Sequence, residues 1–562
     1  MRIRMILLVV VASLAVVTFG RASGNQPDSQ SAAKTQASGK STIPTPASAA
    51  ATYKLLAWSE LGMHCMDGKD YSIFSVLPPY NIVHAQLIKM GEPPLPITTG
   101  VTITYEATAD ATGSINTISS TKTNFWSYIY VLFRNNNPPD VGLTGKHTQN
   151  LTPHPLKYDT KNAYWTADGI PTVPYDDAGK RNAYGMAKIV ARDTSGNILA
   201  TAKIVLSVSD EMSCSTCHAS NSDVYAKPAG GWVNNSDPVK DPKLNILRKH
   251  DDRWPISQYL NQLQRNGYNY QPKLYDTALS GTPVLCAACH GDNALSLPGI
   301  TGIKPLTADM HTLHGPQILL STGKSLDVNS GTSDLNSCYL CHPGTKTLCK
   351  RGAMNTQLCS ACHGNLTLVG ASTRTGWLDE PACQMCHNTG QRYTTTFDAP
   401  GHWRAATDTT FATNPNRPIA GKQLYRYSSG HGTLYCSGCH GSPHAEFPTL
   451  QANDNVYSQA LQGHTGKIAE CAVCHTAVPT TANGGPHNMH TVGQQWVDGH
   501  HDYVETVGLA ACAYCHGSTF RGTALSKTSM ARSFTTDDGG NKTYKPGDTV
   551  TCYDCHNGPD GA

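Results

Sequence analysis

Hydrophobic and polar positions alternate over short runs in the segment 51–210, which is typical of strands that bury one face. The runs VTITYEA at 101–107 and SYIYVLF at 127–133 each predict a strand. The segment 186–210 predicts a β-hairpin, because its two alternating runs flank a Thr-Ser-Gly-Asn turn at 194–197. Several short strands separated by proline and glycine favour an all-β domain, an immunoglobulin-like sandwich, with a small barrel as the alternative.

The alternation ends after residue 210. From 211 to 562 glycine, proline and polar turns dominate, and cysteines come in pairs. We therefore expect this second domain to be coil-rich and sparsely helical. The chain contains only nine phenylalanines and eight tryptophans, so something other than aromatic side chains is expected to fill part of its core.

The beginning of the chain has the pattern of an export signal. Residues 1–22 combine two early arginines, an apolar run from 5 to 19 and small residues at a plausible cleavage site. The apolar run is shorter than the ~20 residues of a spanning helix, so a signal peptide is favoured over a membrane anchor. Residues 23–50, rich in Ser, Ala, Thr, Gln and Pro, predict a flexible linker. We expect an exported chain with no transmembrane segment after signal removal.

The cysteine pairs of the second domain share one spacing and one following residue. Nine times the sequence reads Cys-x-x-Cys-His, although histidine is only 24 of the 562 residues, so chance does not explain the pattern. A structural zinc site or a thioredoxin-like dithiol does not require that histidine. Attachment of c-type haem does, because the two thiols add to the haem vinyl groups and the histidine binds the iron. The sequence therefore predicts nine covalently attached haems.

The predicted attachment residues follow directly from the nine motifs. The haem-binding cysteines are Cys214, Cys217, Cys286, Cys289, Cys338, Cys341, Cys359, Cys362, Cys383, Cys386, Cys436, Cys439, Cys471, Cys474, Cys512, Cys515, Cys552 and Cys555. The proximal iron ligands are His218, His290, His342, His363, His387, His440, His475, His516 and His556.

The distal ligands must come from the fifteen remaining histidines. A histidine on a short tether beside a motif can hardly reach the far face of its own haem, so His431 and His444, which flank the motif at 436–440, are expected to bind neighbouring haems. Methionine is scarce in this domain, which predicts mainly bis-histidine haems of low potential. Four histidines of the first domain, His64, His84, His147 and His154, are a reserve from which two could cap a haem. The predicted distal ligands are His250, His311, His314, His402, His431, His444, His464, His490 and one of His500 or His501.

Two cysteines lie outside the motifs, Cys65 and Cys349. An exported protein could join them as a disulfide between the two domains. The run Met-His-Cys-Met at 63–66 also offers soft ligands to a copper ion. We favour a buried structural cysteine at position 65 over copper binding.

The charge balance argues against nucleic acid as a partner. Removing the three arginines of the signal peptide takes the formal charge of +3 to zero. Each haem then adds two propionates against one ferric charge, so the loaded protein is expected to be acidic. A basic surface for nucleic acid or an acidic membrane is not expected.

The motifs are dense enough to predict electron transfer between haems. They begin at 338, 359 and 383 in the most crowded part of the chain. The leading hypothesis is an electron carrier with no catalytic residues. One rival is an enzyme of the nitrite or hydroxylamine class, which needs an open haem position, often with lysine in place of the motif histidine, and no Cys-x-x-Cys-Lys occurs. Another is a structural subunit of a filament.

The chain resembles the outer-surface multihaem c-type cytochromes of Geobacter-type metal-reducing bacteria. The resemblance rests on the nine motifs and on four phrases: LGMHCMDGKDYSIFSVLPPYNIVHAQ at 61–86, NILRKHDD at 245–252, MHTLHG at 310–315, and GGPHNMH with the following GHHDYVE up to residue 505. It implies electron transfer to other multihaem cytochromes or to extracellular acceptors such as metal oxides, at the cell exterior or outer surface, with the periplasm as the alternative. Some members form homopolymeric filaments, but the long haem-free β-region departs from those.

Overall fold

The computed structural model describes residues 52–319, 323–327, 335–388, 391–399, 402–405, 411–412, 414, 419, 421–477, 485–536 and 540–559. Residues Ala51–Ala562 form one compact unit. The predicted signal peptide and linker lie outside the described residues.

Ten of the first eleven strands build two mainly antiparallel sheets at the beginning of this unit, and β3 lies outside both. One sheet has the order β1-β4-β9-β8, with β5 paired to β4, and the other has the order β2-β11-β10-β6-β7. The strands are β1 (Tyr53–Ser59), β2 (His64–Cys65), β3 (Phe74–Ser75), β4 (Asn81–Lys89), β5 (Leu95–Ile97), β6 (Val101–Thr108), β7 (His154–Pro155), β8 (Lys157–Asp159), β9 (Tyr164–Ile170), β10 (Tyr184–Asp193) and β11 (Ile198–Ser209).

The two sheets bury a common hydrophobic core. Val83 and Ala85 from one sheet and Ile189 and Leu206 from the other are fully buried in the same cluster. Alternating residues of a strand point to opposite faces, so the alternation read from the sequence supplies this core. The predicted strand at 101–107 and the predicted hairpin are confirmed as β6 and as the antiparallel pair β10 and β11.

The expectation of a strand at 127–133 is wrong. This segment belongs to the helix α1 (Phe125–Phe133). Phe125, Ile129 and Leu132 are its buried residues, spaced by four and three positions, which is the period of one helical face. The aromatic and β-branched residues favour a strand locally, but the helical spacing of the buried positions decides the structure.

Short helices and single helical turns dominate the rest of the unit. The two longest, α3 and α12, have fourteen residues each. The helices are α2 (Ser215–His218), α3 (Lys240–Arg253), α4 (Leu260–Arg265), α5 (Leu274–Leu279), α6 (Leu306–His314), α7 (Leu335–Cys338), α8 (Cys359–His363), α9 (Leu366–Val369), α10 (Cys436–His440), α11 (Ala452–Gln462), α12 (Gln494–Val507) and α13 (Leu509–His516). Single 3₁₀ turns cover Val224–Ala226, Ser257–Tyr259, Cys286–Ala288, Gly376–Leu378, Cys383–Met385, Tyr425–Tyr427, Cys471–Val473, Pro486–Asn488 and Cys552–Asp554.

The strands after β11 are two to four residues long. Val284–Leu285 pairs with β3 in parallel, and the others form small antiparallel hairpins. These strands are β12 (Val284–Leu285), β13 (Ile318–Leu319), β14 (Lys324–Ser325), β15 (His387–Asn388), β16 (Gln391–Arg392), β17 (Phe397–Ala399), β18 (His402–Trp403), β19 (Ser429–Gly430), β20 (Leu434–Tyr435), β21 (Arg532–Thr535) and β22 (Asn541–Tyr544).

The β-sandwich and the cysteine-rich region share a core. Tyr435 and Tyr457 are buried among the residues of the two sheets. The Tyr435 hydroxyl donates to the carbonyl of Asn162 at 2.8 Å, and the Gln86 side-chain amide donates to the carbonyl of Thr433 at 2.9 Å. The sandwich therefore fixes the position of the motif that starts at Cys436. Among the described residues, no helix combines the length and apolarity needed to cross a membrane.

Candidate functional site

The motifs that start at Cys214, Cys286, Cys338, Cys471 and Cys552 each close one helical turn with the same backbone hydrogen bond. In the first motif, the backbone N–H of His218 donates to the carbonyl of Cys214 at 2.9 Å, closing one helical turn. The turn brings both cysteines and the histidine to one side of the chain, because residues three and four apart share a helical face. The same bond joins His290 to Cys286 (3.0 Å), His342 to Cys338 (2.8 Å), His475 to Cys471 (2.9 Å) and His556 to Cys552 (3.0 Å).

We number the motifs 1 to 9 along the chain, starting at Cys214, Cys286, Cys338, Cys359, Cys383, Cys436, Cys471, Cys512 and Cys552.

Cysteines of motifs 1 to 6, with Cys515 of motif 8, line one connected cavity of about 1960 Å³. Ordinary ligand pockets have about 300–1,000 Å³, and protein interiors otherwise contain few voids larger than a water molecule. The cavity is lined mainly by apolar surface and by the motif histidines His218, His290, His342, His363, His387 and His440. Its size and its rows of thiols and imidazoles fit several large, flat, metal-containing groups such as haem.

Seven motif histidines face a histidine from outside the motifs. Two imidazoles on opposite sides of one metal ion have ring centres about 6 Å apart, because each metal–nitrogen bond is about 2 Å long. The observed ring-centre distances are close to this value. The pairs are His218 with His314 (6.3 Å), His342 with His311 (6.1 Å), His363 with His444 (6.0 Å), His440 with His487 (5.8 Å), His475 with His431 (6.1 Å), His516 with His490 (6.4 Å) and His556 with His500 (5.5 Å).

The two remaining motif histidines have different surroundings. Burial and the charge of His290 together lower the pKa of His250 to about 4. His290 therefore lies close enough to His250 for the two rings to interact electrostatically. The His387 ring of motif 5 packs against Phe411, with ring centres 6.0 Å apart.

Hydrogen bonds at Nδ1 orient many of these rings. The Nδ1 atoms of His311 and His314 donate to the carbonyls of Thr307 and Met310, one turn earlier in α6, at 2.7 and 2.6 Å. A donor hydrogen on Nδ1 leaves the lone pair on Nε2, the usual arrangement of a histidine that binds a metal. Further Nδ1 atoms donate in the same way, from His490 to Thr491 O (2.7 Å), His500 to Val497 O (2.7 Å), His516 to Val550 O (3.1 Å) and His290 to Lys304 O (3.0 Å).

Burial also prepares the rings for metal binding. It lowers the pKa of His218, His342 and His444 to about 4, so these rings are neutral at pH 7. Only a neutral imidazole has the free lone pair that binds a metal.

In the closest pair, the Nε2 atoms of His500 and His556 point at each other across 3.3 Å.

Three predicted distal histidines interact with carboxylates. His402 has 74% of its side chain exposed and interacts with Asp398 through Nδ1, at 2.5 Å. His464 interacts with Glu470 at 3.2 Å, and His501 is exposed on α12.

His487, which faces His440, is the ligand candidate that sequence reasoning missed. His487 and His490 are separated by two residues in GGPHNMH, as His311 and His314 are in MHTLHG. This shared His-x-x-His spacing is the sequence pattern that could have identified it.

The first-domain histidines form two groups. His64 and His84 are 2% and 4% exposed, and none of their ring nitrogens has a hydrogen-bond partner in the structure. His64 lines the large cavity. His147 and His154 stack on each other at the sheet edge, with ring centres 4.5 Å apart.

All twenty cysteines lie in described residues. Burial and the nearby Cys349 thiol together raise the pKa of the Cys65 thiol to about 12, so the two cysteines outside the motifs are neighbours. The Cys349 sulfur also lies 3.6 Å from Nδ1 of His444. Within the described ranges, no group of three or more His, Cys, Asp or Glu side chains could hold a metal ion by itself.

Comparison with known proteins adds one match. A family model described as outer membrane cytochrome MtrC/MtrF-like, domains II/IV, matches residues 351–561. This part of the chain is cytochrome-like. It is less than half of the sequence and contains motifs 4 to 9. No curated protein and no solved structure gives a significant match.

Proposed function

We propose that this protein is an exported electron carrier that binds nine c-type haems in a closely spaced chain and passes electrons to acceptors outside the cell. The proposal rests on one observation. Seven motif histidines each face a second histidine, and the distance between the two ring centres is close to that expected for two ligands of one iron. The acceptors are proposed to be other multihaem cytochromes or metal oxides.

Bound haem would supply one-electron chemistry at its iron. The residues of this chain have three tasks in it. The paired cysteines would hold each group covalently, the facing imidazoles would bind the iron from both sides at eight of the nine motifs, and the apolar lining of the cavity would keep water out. The proposed distal ligands are His250, His311, His314, His431, His444, His487, His490 and His500, so His487 replaces His402 and His464 in the set.

Short segments that serve two motifs support close spacing of the haems. His311 and His314 are three residues apart on α6 and face motif 3 and motif 1. His431 and His444 flank motif 6 and face motif 7 and motif 4. Two haems bound to histidines this close along the chain cannot be far apart, as expected for electron transfer from one to the next.

The electrostatic contacts between thiols of different motifs support a particular order. Burial raises the pKa of Cys286, and the thiol of Cys214 raises it further, so motifs 1 and 2 are adjacent. The charge of His342 contributes to lowering the pKa of His363, which links motif 3 to motif 4. The other pairs of thiols from different motifs that are close enough to interact electrostatically are Cys214 with Cys341, Cys362 with Cys386, Cys383 with Cys436, Cys439 with Cys474 and Cys552 with Cys512.

These contacts give the proposed path 2, 1, 3, 4, 5, 6, 7, with motifs 8 and 9 as a second branch. Phe411 links the branch to motif 6, since its ring contacts both His487 and Tyr514, with ring centres 5.5 and 5.8 Å away. The path differs from sequence order at its start, where motif 1 lies between motifs 2 and 3.

The test is to oxidise the fully reduced protein with solid ferric oxide. The extent of oxidation is measured by the haem absorbance. The proposal expects the absorbance of all haems to reoxidise, because a connected chain drains through any haem that touches the oxide. Carbon monoxide is added to a parallel reduced sample. Reoxidation of only part of the absorbance would contradict the connected chain, and stoichiometric gas binding together with nitrite turnover would favour the enzyme class instead.

A further inference from the structure

We propose that Trp496 is a positioning residue that sets the plane of the His490 ring, and thereby keeps the two imidazoles of motif 8 parallel. The inference rests on the proposed haem ligation. We infer in addition that the haems fall into classes with different electronic structure. The protein sets these classes through the angle between the planes of the two imidazoles that bind each iron.

The facing histidine pairs differ strongly in the angle between their ring planes. The angle is 14° for His311 and His342 and 11° for His490 and His516, so these rings are nearly parallel. It is 78° for His218 and His314 and 76° for His363 and His444, so these rings are nearly perpendicular. The remaining pairs lie between 38° and 54°.

Two contacts hold His490 in its orientation. The indole of Trp496 stacks on the imidazole with ring centres 4.1 Å apart and an angle of 5° between the planes. The Nδ1 atom of His490 donates to the carbonyl of Thr491 at 2.7 Å. Rotation of the imidazole about an iron–Nε2 bond would drive its edge into the indole face, so the indole resists that rotation.

Trp496 is itself fixed by its neighbours on α12. Tyr503 meets it edge to face at 5.3 Å, and His500 lies on the same helix with its ring centre 6.3 Å from the indole. The tryptophan therefore contacts the proposed distal ligands of both motif 8 and motif 9. Trp254 provides a comparison, because it meets His250 at 60° and 5.6 Å, so the two rings are not stacked.

The angle between axial imidazoles has a measurable consequence in the ferric state. Each imidazole donates π-electron density into the iron d orbital that lies perpendicular to its own plane. Parallel rings act on the same d orbital and split the pair, which gives a rhombic low-spin electron paramagnetic resonance spectrum. Perpendicular rings act equally on both orbitals, which leaves them nearly degenerate and gives a broad signal at low field. Axial ligation is one of the means by which a protein tunes haem.

The experiment compares the spectra of the oxidised, fully haem-loaded wild type with those of Trp496→Ala, Trp496→Phe and the control Trp254→Ala. Two of the seven pairs are nearly parallel, so Trp496→Ala is expected to lower the near-parallel rhombic intensity about two-fold. Trp496→Phe retains a flat face and is expected to keep that intensity, as is Trp254→Ala. The haem content of every variant is measured alongside.

Unchanged rhombic intensity in Trp496→Ala with a full haem content would overturn the inference. Equal loss in Trp496→Ala and Trp496→Phe would overturn it too, because it would show that bulk rather than a flat face matters. If the alanine variant does not retain its haems, Trp496→Leu replaces it, because leucine keeps most of the volume without the flat face. Unchanged rhombic intensity in Trp496→Leu would also overturn the inference. A wild type that lacks nine haems would contradict the proposed function, whereas nine haems without a near-parallel signal would contradict only the ring orientations.

Discussion

In the proposed function, single histidines carry most of the chemistry, and two features of each decide what it can do. The first is its place in the motif, which the sequence states outright. The second is which ring it faces in the folded chain, which depends on contacts between distant segments. His431 and His444 could be assigned to other motifs from the sequence. Each lies only a few residues from motif 6, too close to reach the far face of the haem of that motif, so each is expected to bind a neighbouring haem. His487 could not, because its partner His440 lies 47 positions earlier, counted along the sequence, and no tether argument connects them.

Replacing His487 with methionine tests this pairing. Methionine ligation raises haem potentials relative to bis-histidine ligation, so His487→Met is expected to move one haem of the set to a higher midpoint potential. Spectroelectrochemical titration measures this. His402→Met is the matched control, because His402 is exposed and interacts with Asp398. An upward shift in the His402 variant, with none in the His487 variant, would assign the ligand to His402.

Glu211 connects the end of the β-sandwich to the loop before Cys349. It accepts hydrogen bonds from the backbone N–H groups of Thr345, Lys346 and Thr347 at 2.6 to 2.8 Å and from two threonine hydroxyls. Burial acts to raise its pKa, but these donors outweigh it and lower the pKa from 4.5 to about 2. A carboxyl whose pKa is lower in the folded state stabilises the fold above its unfolded pKa, and that stability is lost as the pH falls toward 2.

Glu211→Gln is therefore expected to lower the free energy of unfolding at pH 7 by about 2–3 kcal/mol, the scale of hydrogen bonds to a charged group. The difference from wild type should shrink as the pH falls from about 4.5 to about 2, as measured by chemical denaturation at each pH. Glu505→Gln, at an exposed position on α12, should change little at any pH. A difference at position 211 that does not depend on pH would refute the role of the charge.

Helices and strands were predictable where one period dominated the sequence. The strands β6, β10 and β11 contain alternating runs in their sequences and were expected as strands. The segment of α1 contains both patterns, because its aromatic and β-branched residues suit a strand while Phe125, Ile129 and Leu132 have helical spacing. Only the packing of that face against the rest of the chain decides between them. The short helices of the haem region are set by their motifs and contacts, and the sequence contains no long periodic run from which to predict them.

Helix α11 is attached to the sandwich by a buried ion pair. Arg351 donates from Nε and Nη2 to the two carboxylate oxygens of Asp454 at 2.6 and 2.9 Å, and from Nη1 to the carbonyl of Gly62 at 2.5 Å. Both side chains are at most 5% exposed. A buried charge that loses its partner is strongly destabilising, because it has left water without compensation.

Arg351→Met is expected to lower the free energy of unfolding by about 3–5 kcal/mol. The matched control is Lys188→Met, which removes the more exposed ion pair between Lys188 and Glu106 and should cost at most about 1 kcal/mol. Denaturant titration of both variants measures the difference. Similar losses in the two variants would contradict the role given to the buried pair.

The whole molecule joins a β-sandwich to a region whose interior is a large cavity lined by cysteines and histidines. Buried Tyr435 and Tyr457 belong to the core of the sandwich, so the two regions share one core. Composition predicted that something besides aromatic side chains fills the interior, and the cavity of about 1960 Å³ agrees with that expectation. The nine motifs could be read from the sequence because covalent attachment requires a fixed local spacing. The path between them could not, because it depends on which motifs the fold brings together.

The number of covalently bound haems is the claim on which the proposed function depends most. Thioether bonds survive denaturation, so the intact mass of the denatured, exported protein measures this number directly. We expect the mass of the chain without its signal peptide plus nine haems, with none lost on acid–acetone extraction. A mass equal to the bare polypeptide, or haem that the solvent removes, would contradict covalent attachment at the nine motifs and with it the proposed electron chain.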